Sequence, residues 1–235
     1  MSPEAFITGL GMVTPAGLTA ATTWAGLVAG GRFLEELASS PHRRIGGRVR
    51  SFVPPPDSEH LDRVCQFALA AAGEAVDSAG LAEGTLSQDY DPHRVAVSVG
   101  TSKGGLLTFS ELAADLLDAG SPRGRPTPAG SMAGRLRDRL ASIPPDAAAR
   151  CVAERFGVRG GMHATVAACS TGTLAVIHGY HLVRDGRADI VLAGSADASL
   201  HPLWFAAFDQ MGVLAPAHPQ RGAAWACRPF DRSRA

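Results

Sequence analysis

The sequence has no excess of either charge: 22 basic and 22 acidic side chains cancel in a chain of 235 residues. A nucleic-acid or membrane-surface protein would need a large positive excess, so neither kind of partner is expected. Polar residues interrupt every apolar run well before membrane-spanning length, which predicts no transmembrane helix. The N-terminus carries Glu4 and lacks a basic stretch, so no secretory signal is predicted. We therefore expect a soluble, cytoplasmic protein.

Cysteine and lysine are also scarce. Cys65, Cys151, Cys169 and Cys227 lie far apart in sequence and form no CxxC pair. Neither a disulfide framework nor a zinc knuckle is predicted from that spacing. Lysine occurs once, as Lys103, so the other 21 of the 22 basic residues are arginines.

Short apolar segments alternate with amphipathic ones along the chain. Strands are predicted at Ala5–Leu10, Arg94–Val99, His163–Ala167 and Asp189–Ala193. Helices are predicted at about 19–29, from a cap at Asp57 or Ser58 to Gly80, at 105–118, from Pro144 to Phe156, and at 171–185. Residues 30–56 are expected to be irregular, and prolines mark a loop at 122–128. The alternation predicts an α/β fold with a largely parallel, buried sheet.

One cysteine lies where a predicted strand turns into a predicted helix. Cys169 follows the strand, and open α/β sheets bind ligands at the carboxyl ends of their strands. It also precedes a helix N-terminus, where backbone N–H groups favour a thiolate and can stabilise an oxyanion on an attacked thioester. The pattern predicts a nucleophile; the alternative is a cysteine buried among small residues.

A cysteine nucleophile normally needs a base or an electrostatic partner. His178 lies nine residues into the following helix, about 13 Å along its axis and out of hydrogen-bond reach. His178, His181 and Asp185 have a spacing that could bind a metal, although core or surface histidines are the simpler interpretation. His163 begins the preceding strand and His201 follows the next one, so the sequence indicates no convincing base.

Two glycine-rich segments imitate nucleotide-binding loops. Gly9 and Gly11 follow a predicted strand, but Thr14 occupies the third fingerprint position, so a dinucleotide loop is not predicted. The segment 100–105 has the ingredients of a phosphate loop in the wrong order, because lysine must follow the second glycine and precede Ser or Thr.

Several segments together resemble the β-ketoacyl-acyl-carrier-protein synthases, the elongating condensing enzymes of fatty acid and polyketide assembly. They are ITGLGMVTPAG, LDRVCQFALAAAGEAVDSAGL, RVAVSVGTSKGGL, AERFGVRGGMHATVAACSTGTLAVIHGYHLVRDGRADIVLAGSADA, PLWFAAFDQMGVLA and CRPFDRSR. The ACSTG turn with its flanking strand and helix is the most specific of them.

The resemblance implies a thiolase-like fold, with a mixed, largely parallel sheet between helices. It implies that Cys169 accepts an acyl group from acyl carrier protein as a thioester, and that its backbone N–H forms part of the oxyanion hole. Malonyl-acyl-carrier protein then loses carbon dioxide, and its enolate attacks the acyl-cysteine in a Claisen condensation. No metal or redox cofactor is implied, because phosphopantetheine arrives on the carrier protein.

Departures from the family pattern limit this expectation. Relatives are much longer, so residues 1–235 are expected to be an N-terminal domain truncated before its closing strands, inactive or partial as it stands. The two catalytic histidines, a supporting lysine and the second oxyanion donor are expected in the absent C-terminal half. A homodimer, or a partner that supplies the missing half, is therefore expected. Lys103, Asp146 and Ser195 replace residues that are more usual in relatives, and Lys103 leaves the acyl-chain length open.

Two alternatives and a docking hypothesis remain open. The chain could be a non-catalytic, thiolase-fold partner subunit of a condensing heterodimer, although the cysteine at 169 argues against that role. It could also be a thiolase that acts on coenzyme A esters. Two groups of arginines could dock the acidic carrier protein, and the simpler interpretation is a solvated basic face. They are Arg43, Arg44, Arg48 and Arg50, and Arg123, Arg125, Arg135, Arg137 and Arg139.

Overall fold

The computed structural model of the chain describes residues 4–37, 44–81, 86, 90–119 and 139–232. The chain divides into two compact units. Met1–Gly11 and Pro54–Ala198 form the first unit, and Met12–Val53 and Ser199–Ala235 form the second. The predicted loop at 122–128 lies outside the described residues. Cys169 belongs to the first unit, which therefore positions the candidate site.

A parallel sheet forms the centre of the first unit. Strand β3 (Val95–Gly100) is buried at every position and runs parallel to β4 (Met162–His163) and to β5 (Ile190–Ser195). Within the described residues this sheet has the strand order β4-β3-β5. The predicted parallel pairing is confirmed, but the predicted burial holds for β3 alone, since β4 and β5 contain only half-buried and exposed residues. The predicted strand at 163–167 is wrong in its extent, because the backbone after His163 makes no further ladder with β3.

Helices cover both faces of β3. Successive side chains of a strand point in opposite directions, so neighbouring residues of β3 pack into different cores. Val97 packs into a core shared with α2 (Arg63–Ser78) and α4 (Ala147–Arg155). Ala96 packs on the other face, in a smaller core with α5 (Thr171–Arg184). The predicted arrangement of a sheet between helices is therefore confirmed in the first unit.

Helix α2 confirms the predicted periodicity but not the predicted cap. Its N-cap is Asp62, whose carboxylate accepts a hydrogen bond from the Val64 N–H at 3.0 Å. Asp57 has a positive φ of 61°, and Ser58 is buried in the preceding turn, so neither residue caps the helix. Gly80 ends the helix as predicted, with a φ of 74° that a side chain would disfavour.

The predicted strand Ala5–Leu10 is wrong. A strand needs a ladder of backbone hydrogen bonds with a partner, and no described strand pairs with this segment. Phe6 and Ile7 are 77% and 79% exposed, and Leu10 is held instead by α2. The Leu10 N–H donates to Ser78 Oγ at 2.9 Å, and the Ser78 hydroxyl lies 3.0 Å from the Leu10 carbonyl oxygen.

The remaining helices of the first unit follow the prediction closely. Helix α3 covers Leu106–Ala119, which agrees with the predicted range of 105–118 to within one residue at each end. Helix α4 begins after Asp146 rather than at Pro144, and Gly157, with a φ of 64°, follows it as predicted. Among the described residues, no helix is both long and apolar enough to cross a membrane.

The second unit contains a helix that was predicted and a hairpin that was not. Helix α1 covers Ala20–Val28, and Thr19 forms a capping box with Thr22 at its start. Strands β1 (Glu35–Leu37) and β2 (Arg44–Gly46) pair in antiparallel fashion. The expectation that residues 30–56 are irregular is therefore wrong, since strands of three residues carry too little periodicity to be recognised. Helix α6 covers Pro202–Gln210.

Candidate active site

Cys169 lies in a tight turn between β4 and α5. A single 3₁₀ turn, Ala168–Ser170, leads directly into the helix. Cys169, in the middle of this turn, is exposed. The predicted order of strand, turn and helix is confirmed, although the strand ends at His163 rather than at Ala167. The alternative of a buried cysteine is wrong. Cys169 is therefore an exposed residue at the edge of the sheet where parallel strands end.

The residue before the cysteine has an unusual backbone conformation. Ala168 has a φ of +50°, in the left-handed region that residues with a Cβ rarely adopt. Such a conformation costs on the order of 1 kcal/mol and persists only where neighbouring contacts enforce it. Ala168 directly precedes Cys169, so the contacts that hold this conformation also fix the backbone that enters the cysteine.

Two hydroxyl groups provide those contacts. The Ser170 hydroxyl donates to the Ala167 carbonyl at 2.7 Å, and the Thr171 hydroxyl donates to the Ala168 carbonyl at 2.8 Å. Thr171 Oγ1 also accepts a hydrogen bond from the Ala167 N–H at 2.9 Å. The turn is thus fixed by side chains on both sides of Cys169, which accounts for the polar residues of the ACSTG segment.

The N-terminus of α5 lacks a side-chain cap. Ser170 occupies the N-cap position, but its side chain caps no amide of the helix. Uncapped N–H groups at a helix start carry a partial positive charge and can stabilise a negative oxygen. The sequence predicts this environment, and the described geometry is compatible with it.

Close packing at the start of α5 requires a glycine. A Cβ at Gly172 would lie 2.6 Å from Ser195 Oγ, at the end of β5. A Cβ at Gly100, at the end of β3, would overlap the Thr165 carbonyl oxygen and the Thr171 methyl group. The Cys169 turn therefore packs against the carboxyl ends of both β3 and β5.

The loops that follow these two strands are joined by an ion pair that the sequence did not predict. Lys103 Nζ lies 3.0 Å from Asp197 Oδ2 and donates to Ser102 Oγ at 2.6 Å. The Ser102 hydroxyl also hydrogen-bonds the Asp197 carboxylate. The lone lysine was the available signal, but its partner is 94 residues away and no sequence pattern joins them.

The candidate histidines make other contacts. His178 Nδ1 lies 3.3 Å from Ser98 Oγ, whose proton is donated to the Ala175 carbonyl at 2.9 Å. The rings of His163 and His178 meet edge to face with centroids 4.2 Å apart. Burial, followed by the charges of His178 and Arg187, lowers the pKa of His163. Both histidines are half-buried and contact each other, and His178 also contacts Ser98 of β3.

The possible metal ligands do not converge. His181 packs against Tyr180, and Asp185 forms an ion pair with Arg184 at 2.8 Å. Within the described part of the chain, no group of three or more His, Cys, Asp or Glu side chains could hold a metal ion. His201 is the N-cap of α6, where its Nδ1 accepts a hydrogen bond from the Leu203 N–H at 3.2 Å.

The two glycine-rich segments serve packing. A Cβ at Gly9 or Gly11 would overlap carbonyl oxygens of α2, so these glycines allow the chain to lie directly on the helix. Gly104 has a φ of +65°, and a Cβ at Gly105 would overlap the Ser142 carbonyl oxygen. Close backbone contact thus accounts for the glycines of both segments.

The arginines proposed for docking are partly engaged. Arg44 donates to the Pro202 carbonyl at 2.7 Å, and Arg48 and Arg50 both pair with Glu35. Arg139 pairs with Glu111 at 2.8 Å. The other members of the two groups, which are Arg43, Arg123, Arg125, Arg135 and Arg137, lie outside the described residues.

Two of the remaining cysteines meet in the core. Cys65 of α2 is fully buried, and Cys151 of α4 packs against its cluster. Hydrogen bonding to Cys151 and burial raise the pKa of the Cys65 thiol, which keeps it protonated. All four cysteines are free, and the exposed ones are Cys169 and Cys227.

Comparison with known proteins agrees with this geometry. The family profile "Beta-ketoacyl synthase, N-terminal domain" matches residues 4–234. A 3-oxoacyl-[acyl-carrier-protein] synthase 2 from Synechocystis sp. is 30% identical over 97% of this chain and 53% of its own length. A putative polyketide beta-ketoacyl synthase 1 from Streptomyces cyaneus is 32% identical over 100% of this chain and 55% of its own length. The chain thus spans about half the length of these curated relatives.

Solved structures share the fold. A beta-ketoacyl synthase from Burkholderia phymatum STM815 superposes with a TM-score of 0.74 at 24% identity, covering 97% of this chain and 54% of that one. A type II PKS acyl-carrier protein in complex with its ketosynthase bound to the hexaketide gives 0.71 at 26% identity, covering 92% and 50%. The expected thiolase-like α/β fold is confirmed. Since the profile covers nearly every residue, the chain belongs to the β-ketoacyl synthase family and matches its N-terminal domain.

Proposed function

We propose that Cys169 is the nucleophile of an acyltransferase that condenses acyl and malonyl thioesters in fatty acid or polyketide biosynthesis. The observation that carries this proposal is the exposed thiol in a fixed turn at the uncapped start of α5. Membership of the β-ketoacyl synthase family supports it.

The first half of the reaction uses groups on this chain. The Cys169 thiolate attacks the carbonyl carbon of an acyl thioester, and the carbonyl oxygen becomes negative. The backbone N–H of Cys169 stabilises that oxygen, and the partial positive charge at the start of α5 favours the same negative charge. The carbon–sulfur bond to the donor then breaks, and the departing thiolate takes up the proton that Cys169 released. The acyl group is left on Cys169 as a thioester.

The second half of the reaction forms the carbon–carbon bond. A malonyl thioester loses carbon dioxide, its enolate attacks the acyl-Cys169 carbonyl, and the Cys169 thiolate leaves. His163 and His178 are engaged with the sheet, and we assign neither of them to this step. We therefore propose that residues 1–235 by themselves accept an acyl group on Cys169 but do not complete the condensation. No metal or redox cofactor takes part in either step of the proposal.

The proposed donor is phosphopantetheine carried on acyl carrier protein. A similar structure is described as a type II PKS acyl-carrier protein in complex with its ketosynthase, which supports this class of partner. The proposed location is the cytoplasm, which agrees with four cysteines that lie far apart in sequence and form no CxxC pair.

A further protein surface is proposed to cover α5. The side of this helix turned away from the sheet carries an exposed apolar group consisting of Leu174, Val176, Ile177 and Tyr180. Apolar side chains grouped on one helix face favour burial against another protein surface. A second copy of the chain, or a partner that supplies the other half of the synthase, is the proposed occupant.

A non-catalytic role is the second candidate. Another similar structure is described as a ketosynthase/chain length factor, which supports this candidate. The exposed Cys169 favours the catalytic candidate, because a subunit that only shapes an acyl tunnel has no need for an accessible nucleophile.

Mass spectrometry after incubation with octanoyl-pantetheine tests the proposal. We expect an octanoyl adduct on Cys169 and none on Cys227, which is also exposed but does not precede an α-helix. Cys169→Ala should abolish the adduct. Equal labelling of both cysteines would indicate simple exposure, and no adduct on Cys169 would favour the non-catalytic role. Competition between acyl-carrier protein and acyl-coenzyme A then separates a synthase from a thiolase.

A further inference from the structure

Two cysteines that the proposed reaction does not use meet where α2 and α4 pack together. Cys65 lies in the first turn of α2, and Cys151 lies in the second turn of α4. Cys65 forms a buried cluster with Ala147, and Cys151 packs against the same cluster. The two thiols hydrogen-bond each other. A covalent bond between these sulfur atoms therefore needs only a short further approach, to a length of about 2 Å.

Small side chains line the contact between the two helices. Ala147, Ala148 and Ala149 of α4 are all at most 1% exposed. Ala68, one turn after Cys65 on α2, is buried in the same core as two of these alanines. The distance between packed helices depends on the side chains at their contact, and short ones allow a close approach. A close approach is what a disulfide requires, since its two Cα atoms usually lie within about 7 Å.

The two thiols differ in their access to solvent. Cys65 is 0% exposed, whereas Cys151 is half-buried. The hydrogen bond with Cys65 lowers the pKa of Cys151, although burial of Cys151 opposes this effect. Thiolates react with oxidants much faster than thiols do. A small oxidant therefore reacts first with Cys151, where Cys65 is already in place as the second thiol.

We infer that Cys65 and Cys151 form a reversible disulfide when the protein meets hydrogen peroxide, and that this bond stabilises the first unit. The Cys151 thiolate attacks one peroxide oxygen, the oxygen–oxygen bond breaks, and the departing hydroxide takes up the proton that Cys151 released. Cys65 then attacks the resulting sulfenic acid, and the sulfur–oxygen bond breaks. The second hydroxide takes up the Cys65 proton. Two thiols are thus oxidised to one disulfide, and one peroxide is reduced to two molecules of water.

This bond would join two helices that are far apart in sequence. Strand β3 and helix α3 lie between Cys65 and Cys151 along the chain. A disulfide that closes a long loop restricts the unfolded chain and so favours the folded state. In a reducing compartment such a bond is transient, because cellular thiols reduce it again. The first unit is therefore more resistant to unfolding while the oxidant is present.

Peptide mapping and urea denaturation after treatment with hydrogen peroxide test the inference. The variant Cys169→Ala/Cys227→Ala removes the two exposed thiols, and the unsubstituted chain is mapped in parallel. In both proteins we expect a linked peptide that joins Cys65 to Cys151. The urea midpoint of the variant should rise by about 1 M. Dithiothreitol should remove the link and return the midpoint to its value before oxidation.

The matched controls each remove one partner of the pair in the same background. In Cys65→Ser the sulfenic acid on Cys151 has no second thiol, so its labelling by dimedone should rise severalfold. In Cys151→Ser the buried Cys65 should remain unlabelled. Neither control should show a higher urea midpoint after oxidation. Circular dichroism establishes folding, and Cys65→Ala replaces Cys65→Ser if the latter does not fold.

Three results would overturn the inference. One is the absence of a linked peptide in folded, peroxide-treated protein. The second is a linked peptide with an unchanged urea midpoint, which would show that the bond does not stabilise the first unit. The third is equal dimedone labelling of Cys151 with and without Cys65, which would show that Cys65 does not react with the sulfenic acid.

Discussion

The carboxylate of Asp62 links the starts of two helices. Its Oδ2 accepts a hydrogen bond from the Thr108 N–H of α3 at 2.8 Å, while its Oδ1 caps α2. Asp62 is 2% exposed, so both bonds are shielded from water. One buried side chain thus accepts hydrogen bonds from the backbone N–H groups of Val64 and Thr108, which lie far apart in sequence, and fixes α2 relative to α3.

Replacing this carboxylate should destabilise the first unit. We expect Asp62→Ala to lower the free energy of unfolding by about 2–4 kcal/mol, because two buried amides lose their acceptor. Asp62→Asn keeps one acceptor oxygen and should cost less. Urea denaturation followed by circular dichroism measures both. The exposed Asp77, in the last turn of α2, is the control, and its replacement by Ala should change stability by less than about 0.5 kcal/mol.

Two glycines near α2 should respond in opposite ways to the same substitution. Gly11→Ala places a methyl group on the Ala71 carbonyl oxygen and should be strongly destabilising. Gly73 lies within α2 with no atom near its absent Cβ, so Gly73→Ala should stabilise the protein by about 0.5–1 kcal/mol. Thermal unfolding of the two variants compares them directly. A similar shift of the midpoint in both would contradict the close contact at Gly11.

The packing of Gly172 against Ser195 can be tested by rescue. Gly172→Ala brings a methyl group within 2.6 Å of Ser195 Oγ and should slow acylation of Cys169 by displacing the start of α5. Ser195→Gly removes the opposing hydroxyl, so the double variant should regain most of the wild-type rate. Mass-spectrometric time courses with octanoyl-pantetheine measure all three variants. Failure of the second substitution to rescue the first would show that Ser195 is not the obstacle.

The histidine pair predicts how stability depends on pH. The pKa of His163 in the folded protein lies below its ordinary value of 6.5, so the folded state binds fewer protons than the unfolded state. The contribution of neutral His163 to the free energy of unfolding is present above pH 6.5. It is lost as the pH falls through the pKa of His163 in the folded protein. His163→Asn should reduce this loss, measured by urea denaturation at about pH 7.5 and about pH 5. The exposed His60, replaced in the same way, should leave the wild-type dependence unchanged.

Local pattern was sufficient for the elements that carry the site. The apolar spacing of α2, the β-rich run of β3 and the strand–turn–helix around Cys169 are properties of neighbouring residues. Each was therefore predictable before any tertiary contact was known. The ACSTG turn was the most informative segment, because its hydroxyl-bearing residues make the hydrogen bonds that surround the left-handed Ala168.

Elements whose existence depends on a distant partner were predicted less well. Ala5–Leu10 has the composition of a strand, but a strand forms only where another strand offers a ladder, and this segment lies on α2 instead. The short strands β1 and β2 were missed for the converse reason, since their pairing rather than their composition defines them. Asp62 replaced the predicted cap because it also bonds Thr108, which no local rule includes.

The amino-acid order alone determined the α/β class, the family resemblance and the choice of Cys169. Only the tertiary structure decided what surrounds that cysteine. It joined Lys103 to Asp197, turned His178 towards Ser98 and left Cys169 exposed. The physical reason is separation along the chain: turns and helices depend on residues a few positions apart, whereas these contacts join groups 80 to 94 residues apart, which meet only when the sheet assembles.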